Sequence, residues 1–367
     1  MTRRTPAIIR SAALLCGVIL LTASCSRDDT STTTSTPAPT QAPAPPSATA
    51  TPSPQQASST PLGLAIVGLD GTVHGDLGLP TDAWTADLSA DGRRLAFLTT
   101  STKVGFCGGC AIDADRLAVL RLGTRRGVFM YGNGRSIREI SEPAWSPDGT
   151  QIAFAGIQGR SNNRDIFVAT LLPDDAPIAS ARILRLTTDD AVDEFAAWSP
   201  DGATILFDNG GSEPVDDSGF SPTQEIWSVP AHGGSPRRLT HNTTPDAQPD
   251  VASDGTVAFW RDGEIWTMDQ DGRHQHRLAA VPSNAGFNPR WSPDGTMLAL
   301  LRYDDSERAT FASPHRPSDL PLLQVVVVKL ATGRVITVGP RVASDANPVS
   351  WTPDGSALLI DRYDAGA

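Results

Sequence analysis

Between residues 83 and 363 the chain alternates short apolar runs with turns, and the runs recur in one order. The clearest unit is "EPAWSPDGTQIAFAG" (142–156): an aromatic residue, a Ser-Pro-Asp-Gly turn, then a β-branched and aromatic run. It returns as "AAWSPDGATILFD" (196–208), "PRWSPDGTMLALLR" (289–302) and "VSWTPDGSALLIDR" (349–362). Two looser copies are "ADLSADGRRLAFLTT" (86–100) and "PDVASDGTVAFWR" (249–261). Pro presets φ for a turn and Gly closes it in the left-handed region. The apolar runs on either side have the length and composition of strands.

The Asp-Gly pairs begin at Asp91, Asp148, Asp201, Asp254, Asp294 and Asp354, so neighbouring copies are 57, 53, 53, 40 and 60 residues apart. Six copies at that spacing predict a propeller whose blades are four-stranded sheets. Most copies continue with two further strands: "DIFVATL" (165–171) and "ILRLT" (183–187), "EIWSVP" (225–230) and "RRLT" (237–240), "EIWTM" (264–268) and "HRLA" (276–279), "LQVVVVKL" (323–330) and "RVITVG" (334–339). After the first copy they are "RLAVLRLG" (116–123) and "GVFMYG" (127–132).

The last copy ends at Tyr363 with two strands made, whereas "GLAIVGLDGTVHGDLGL" (63–79) reads as a third and fourth strand with no first pair. The fold class is therefore all-β: a six-bladed propeller over 62–367, closed by N-terminal strands pairing with C-terminal ones. Closure removes the free sheet edge that invites aggregation.

The first sixty residues read differently. Arg3, Arg4 and Arg10 precede an apolar stretch, Ala12 to Leu21, that ends in small residues. This is the pattern of a secretory signal over 1–24, and it is short for a membrane span. Its end, Leu21-Thr22-Ala23-Ser24-Cys25, resembles the bacterial lipobox, with Thr22 where that pattern usually has Leu. The resemblance implies a lipoprotein acylated on Cys25 (palmitate or a related chain) and held at the extracytoplasmic face of a bacterial membrane. Residues 30–60 contain only Ala, Pro, Gln, Ser and Thr, so the linker, 25–61, is expected to be a disordered tether.

The Trp-Ser-Pro-Asp-Gly hairpin, the Ile-Trp/Phe third strand and the Leu-Thr ending together resemble the TolB-type six-bladed propeller repeat, over 63–367. That resemblance implies an exported module binding a protein or peptide at one end of its channel. The family's namesake has an α/β domain before its propeller, where this chain has low-complexity sequence, so the namesake's partners do not transfer.

Charge narrows the partners. The full chain carries 30 basic and 41 acidic residues, a formal −11, and loss of three arginines with residues 1–24 makes it more acidic. This disfavours nucleic acid and anionic lipid. In a blade the hairpin turns share one end and the second-to-third strand loops the other, so the long loops 101–115, 209–223 and 303–321 are expected opposite the Ser-Pro-Asp-Gly turns. Acidic residues gather there: Asp189, Asp190, Asp193 and Glu194, then Glu213, Asp216 and Asp217. They read as a site for a basic peptide, as oxygen ligands for calcium, or as the solvated surface of an acidic protein. "DQDG" (269–272) lacks the remaining ligands of a calcium loop and reads as a turn.

Cys107-Gly-Gly-Cys110 in an exported protein reads as a structural disulfide, with redox or metal chemistry as the alternative. No G-x-S-x-G or H-E-x-x-H occurs; His274 and His276 alternate on one strand and read as surface residues, and His74, His232, His241 and His315 are scattered. The expectation is a monomeric binding module rather than an enzyme, with no cofactor. The alternative is a metal-dependent, lactonase-like hydrolase or lyase, whose ligands would come one per blade and leave no local motif.

Overall fold

A computed structural model describes residues 60–77, 79, 83–99, 116–123, 129–131, 137–159, 163–171, 182–211, 221, 223–303, 323–342 and 349–364. All their regular structure is β-strand. Cys25, Cys107, Cys110, Glu213, Asp216 and Asp217 lie outside the described residues.

Two strands come first, β1 (Thr60–Gly68) and β2 (Val73–Asp76). Blade 1 follows as β3 (Ala83–Leu88), β4 (Arg94–Thr99), β5 (Arg116–Arg121) and β6 (Phe129–Tyr131). Blade 2 is β7 (Ile137–Trp145), β8 (Gln151–Gln158), β9 (Asp165–Thr170) and β10 (Arg182–Arg185). Blade 3 is β11 (Asp193–Trp198), β12 (Thr204–Asn209), β13 (Glu225–Pro230) and β14 (Arg237–Arg238). Blade 4 is β15 (Asp246–Val251), β16 (Val257–Arg261), β17 (Glu264–Met268) and β18 (His276–Arg277). Blade 5 is β19 (Phe287–Trp291), β20 (Met297–Tyr303), β21 (Leu323–Lys329) and β22 (Arg334–Val342). The chain ends in β23 (Ser350–Trp351) and β24 (Ala357–Asp364).

Each of the first five sets forms its own antiparallel sheet in sequence order. The sixth sheet has the order β2-β1-β24-β23. Its central ladder runs from Thr60 opposite Asp364 to Gly68 opposite Ala357. The closure expected from sequence is therefore present, and β1 is the third strand of blade 6.

Two chemical devices explain the repeat. The first is local. Ser146 Oγ donates to Asp148 Oδ1 at 2.7 Å and accepts the Gln151 amide at 2.9 Å, while Asp148 Oδ1 also accepts the Thr150 amide. The same set recurs at Ser89, Ser199, Ser292 and Thr352. The glycines of these turns, Gly92, Gly149, Gly202, Gly295 and Gly355, have φ of 65° to 69°, which is costly for a side-chain-bearing residue. Hydrogen bonding holds the carboxyls of Asp91, Asp148, Asp201 and Asp294 below the usual carboxylate range, and that of Asp354 at about 2. Blade 4 has Ala252 in place of the serine.

The second device joins neighbouring blades. The indole N–H of Trp145 donates to the carbonyl of Asp87, that of Trp198 to Ala144, and that of Trp351 to Arg290, at 3.0 to 3.1 Å. Each bond crosses to the preceding blade while the ring packs in an interblade core. At Trp145, Trp198 and Trp351 the tryptophan of the motif is thus a blade-to-blade clasp, whereas the Trp291 indole nitrogen has no hydrogen-bond partner among the described residues. Trp198→Phe is expected to cost roughly 1 kcal/mol, read as a lower urea midpoint, because the half-buried Ala144 carbonyl loses its indole donor. An unchanged midpoint would show that the clasp is incidental.

Candidate functional site

The inner strands β3, β7, β11, β15, β19 and β23 surround the channel, and their last residues line a cavity of about 410 Å³ at the turn end. All six blades contribute. The rim is Pro147, Pro200, Pro293 and Pro353 with Ala90 and Ser253, the residues immediately before the turn aspartates. Below it the walls carry Trp145, Trp198, Trp291 and Trp351. Rigid, large aromatic surface in a concavity is what recognition sites are built from.

The floor lies four residues before each turn aspartate. Around the ring the positions read Asp87, Ala144, Ala197, Asp250, Arg290 and Ser350. Asp87 is the most connected. Its Oδ2 accepts the Trp145 amide at 2.8 Å and its Oδ1 the Ser350 hydroxyl at 2.7 Å, while Ser350 Oγ accepts the Leu88 amide. Asp87 therefore ties blades 1, 2 and 6. Asp250 repeats the device, accepting the Trp291 amide at 2.7 Å, and Arg290 lies 3.4 Å from its other oxygen. Burial pushes both aspartates above the usual carboxylate range, with Arg290 pulling the other way.

Deeper still, each of the first five inner strands carries a bulge. At each bulge a non-glycine residue takes positive φ: Thr85, Glu142, Phe195, Gln248 and Asn288. Such backbone stores on the order of 1–3 kcal/mol per residue. Here it turns amides toward neighbouring blades. The Phe195 amide donates to Glu142 Oε2, the Gln248 amide to Asp208 Oδ2, and the Asn288 amide to Gln248 Oε1. Thr85 Oγ1, both polar atoms of the Asn288 amide and Asp208 Oδ1 have no hydrogen-bond partner among the described residues, though all are buried. Burial and then the charge of Glu194 push Glu142 up to about 8, and burial raises Asp208 well above its ordinary range.

The acidic residues singled out from sequence sit elsewhere. Asp189, Asp190, Asp193 and Glu194 lie where β10 passes to β11, at the end opposite the cavity. Asp189 and Asp190 are exposed, and Asp189 Oδ1 accepts the Ala191 amide in a turn. Asp193 is fully buried, bonded to Asn209, and burial pushes it up to about 8. Glu194 is paired with Arg164. Loop length drew attention to that end. The residues that build the cavity come one per blade and form no contiguous motif.

Among the described residues no group of three His, Cys, Asp or Glu side chains is placed to hold a metal ion. A family model described as the TolB beta propeller domain matches residues 83–300. An uncharacterized protein of Agrobacterium fabrum is 28% identical over 174 residues, which is 43% of this chain and 53% of that one. The chain thus spans about half the length of this curated relative. A solved TolB candidate from Agrobacterium tumefaciens superposes with a TM-score of 0.58 at 18% identity, over 84% of this chain and 99% of that one. TolB from Acinetobacter baumannii gives 0.46 at 16%, over 82% and 64%.

Proposed function

The chain belongs to the TolB β-propeller family, and on that premise we propose that it is a binding module of the bacterial envelope that holds a protein or peptide in the turn-end mouth of its channel. The observation that supports this reading is the cavity itself: open at the turn end, walled by four tryptophans and rimmed by four prolines. These residues are already ordered by the turns and clasps, so a ligand binds without ordering them, which favours affinity.

Topology adds direction. β1 starts at Thr60, opposite Asp364, at the end of blade 6 away from the Pro353 turn. In this reading Cys25 is acylated, and the chain that follows it enters the propeller at the end opposite the mouth.

One experiment tests both parts. A photo-crosslinking residue is placed at Pro147 or Pro353, or at Gln270 on an outer turn as control, in the exported chain with Cys25 or with Cys25→Ala. Crosslinks to one discrete envelope protein from the rim positions and not from Gln270 are expected, and Cys25→Ala is expected to move the propeller out of the membrane fraction. Equal labelling from all three positions, or none from the rim, overturns the binding site. Unchanged fractionation overturns the anchor.

A further inference from the structure

The six inner strands reach the mouth with unequal side chains. Three residues before each turn aspartate the ring reads Leu88, Trp145, Trp198, Val251, Trp291 and Trp351. One residue before it the ring reads Ala90, Pro147, Pro200, Ser253, Pro293 and Pro353. At both levels the small residues fall on the same two blades, 1 and 4. Those blades lie opposite each other, three sheets apart in both directions. The wall is therefore low at two opposite points and high between them. Trp145 and Trp198, under Pro147 and Pro200, form one flank; Trp291 and Trp351, under Pro293 and Pro353, form the other. A mouth of this shape is a slot open at both ends. It admits a chain lying across it, and not only a chain end pointing in.

The hydrogen-bonding groups of the slot are largely spent. The carbonyls of Asp87, Ala144 and Arg290 accept indole N–H groups. The amides of Leu88, Trp145 and Trp291 donate to the side chains of Ser350, Asp87 and Asp250. On blades 1, 2 and 5 the main chain at floor level is thus already committed. The hydroxyls of Ser89, Ser146 and Ser292 donate to their turn aspartates, and that of Ser350 to Asp87. Three of the four indole N–H groups are held in clasps, and that of Trp291 is buried. Arg290 is the slot's one cation, 3.4 Å from Asp250, and it keeps N–H groups to spare. A β-strand laid in the slot finds no continuous ladder to join, and a sugar chain finds few partners for its hydroxyls. A charged side chain meets charges that already have partners.

We propose that the slot takes an internal, uncharged, proline-rich segment of the partner protein, in the polyproline II conformation, running from blade 1 to blade 4 between the two tryptophan flanks. The proposal rests on the binding-module reading and names the chemistry its ligand presents. Polyproline II has no internal hydrogen bonds and proline has no N–H, so such a segment brings carbonyls that Arg290 and water can serve and few donors in need of an acceptor. Aromatic-lined grooves hold pyrrolidine rings in this way, and the preset conformation leaves little entropy to lose. One turn, three residues and about 9 Å long, is on the scale of the 410 Å³ cavity.

The probes are acetyl-hexaproline amide, the same six prolines flanked on both sides by Gly-Ser-Gly-Ser, a flanked Ala-Ser-Ala-Ser-Ala-Ser control, and cellohexaose. Each is titrated calorimetrically into the exported chain. The two proline peptides are expected to bind equally well, because the slot is open at both ends, and the Ala-Ser control at least roughly ten-fold more weakly. Trp291 makes no clasp, so Trp291→Leu removes aromatic wall without parting two blades, and it is expected to weaken proline binding roughly ten-fold. Val251→Trp raises the wall at one end of the slot. It is expected to weaken the flanked peptide more than the unflanked one, which keeps the test open should Trp291→Leu misfold. Equal affinity for the proline and Ala-Ser peptides, loss of binding on flanking, or undiminished binding by Trp291→Leu overturns the proposal. So does binding of cellohexaose in place of the proline peptides, which would assign the slot to a sugar chain. No peptide binding with the rim crosslinks intact would sink the proline preference and leave the binding-module reading standing. Proline selectivity without any rim crosslink would do the reverse.

Discussion

A chain lacking residues 60–76 is expected to lose the cooperative fold of all six sheets, not of one. Those residues are β1 and β2, and β1 faces two cores at once. Ala65 and Val67 pack with Leu301, Val325, Val327 and Leu358, between blades 5 and 6. Leu64 and Ile66 pack with Leu88, Leu95 and Phe97, between blades 6 and 1. Each such side chain contributes on the order of 1–3 kcal/mol of burial. Their joint loss is comparable to a typical total stability of about 5–15 kcal/mol. Deletion also leaves β24, with Leu358, Leu359 and Ile360, as an apolar free edge. The expected result is a protein with no cooperative melting transition, prone to aggregate. The control is a circular permutant that joins residue 364 to residue 60 and opens the chain between Ala90 and Asp91. Thr60 and Asp364 are ladder partners, so this chain keeps every blade and should melt cooperatively. A truncated protein melting within a few degrees of the parent would show that closure carries little of the stability.

The strands and the closure were legible because each is written in several contiguous residues. Turn chemistry, apolar run and strand length agree at every copy, and the strand pair beginning near Gly63 matches the two strands missing after Tyr363. The tryptophan of the motif was legible as an apolar position and not as a donor, because its bond crosses to a carbonyl some 54 residues away in sequence, as from Trp198 to Ala144. The bulges were illegible for a different reason. Positive φ usually announces itself through glycine, and here it falls on Thr85, Glu142, Phe195, Gln248 and Asn288, the last three donating their amide N–H to a side chain of the preceding blade. The only linear signal is position, six residues before each turn aspartate.

The floor was missed on the same principle. Asp87 and Asp250 look like ordinary strand residues, and only closure of the ring brings them to one level with Arg290 and Ser350. Loop length directed attention to the other end of the channel, where Asp193 and Glu194 turn out to be bonded to Asn209 and Arg164. A repeat fold disperses a central site over its copies. A position compared across copies, rather than a motif along the chain, is therefore the feature to read in such sequences.

Stability should peak on the acid side of neutrality and fall as the pH rises toward 8. Two sets of carboxyls compete. The turn aspartates Asp91, Asp148, Asp201, Asp294 and Asp354 have folded pKa values below the ordinary 3.8, so their contribution is present above that value and is lost as the pH falls through the folded one. The buried acids have the opposite sign. Glu142 and Asp193 titrate at about 8 in the fold against 4.5 and 3.8 ordinarily, and Asp87, Asp165, Asp208 and Asp250 are also raised. Between the two values the folded chain holds more protons than the unfolded one, so stability drops with rising pH. Each unit of difference corresponds to about 1.4 kcal/mol, and the turn aspartates are exposed and solvent-screened, so the buried set dominates above pH 5. The melting temperature is expected to be highest at about pH 4 to 5 and lower at pH 8 by on the order of 10 °C. Glu142→Gln should flatten that fall while leaving the acid limb, governed by the turns, in place. A melting temperature that holds level or rises between pH 5 and 8 would mean that the channel acids are ionised in the fold, paired more fully than the surrounding arginines account for.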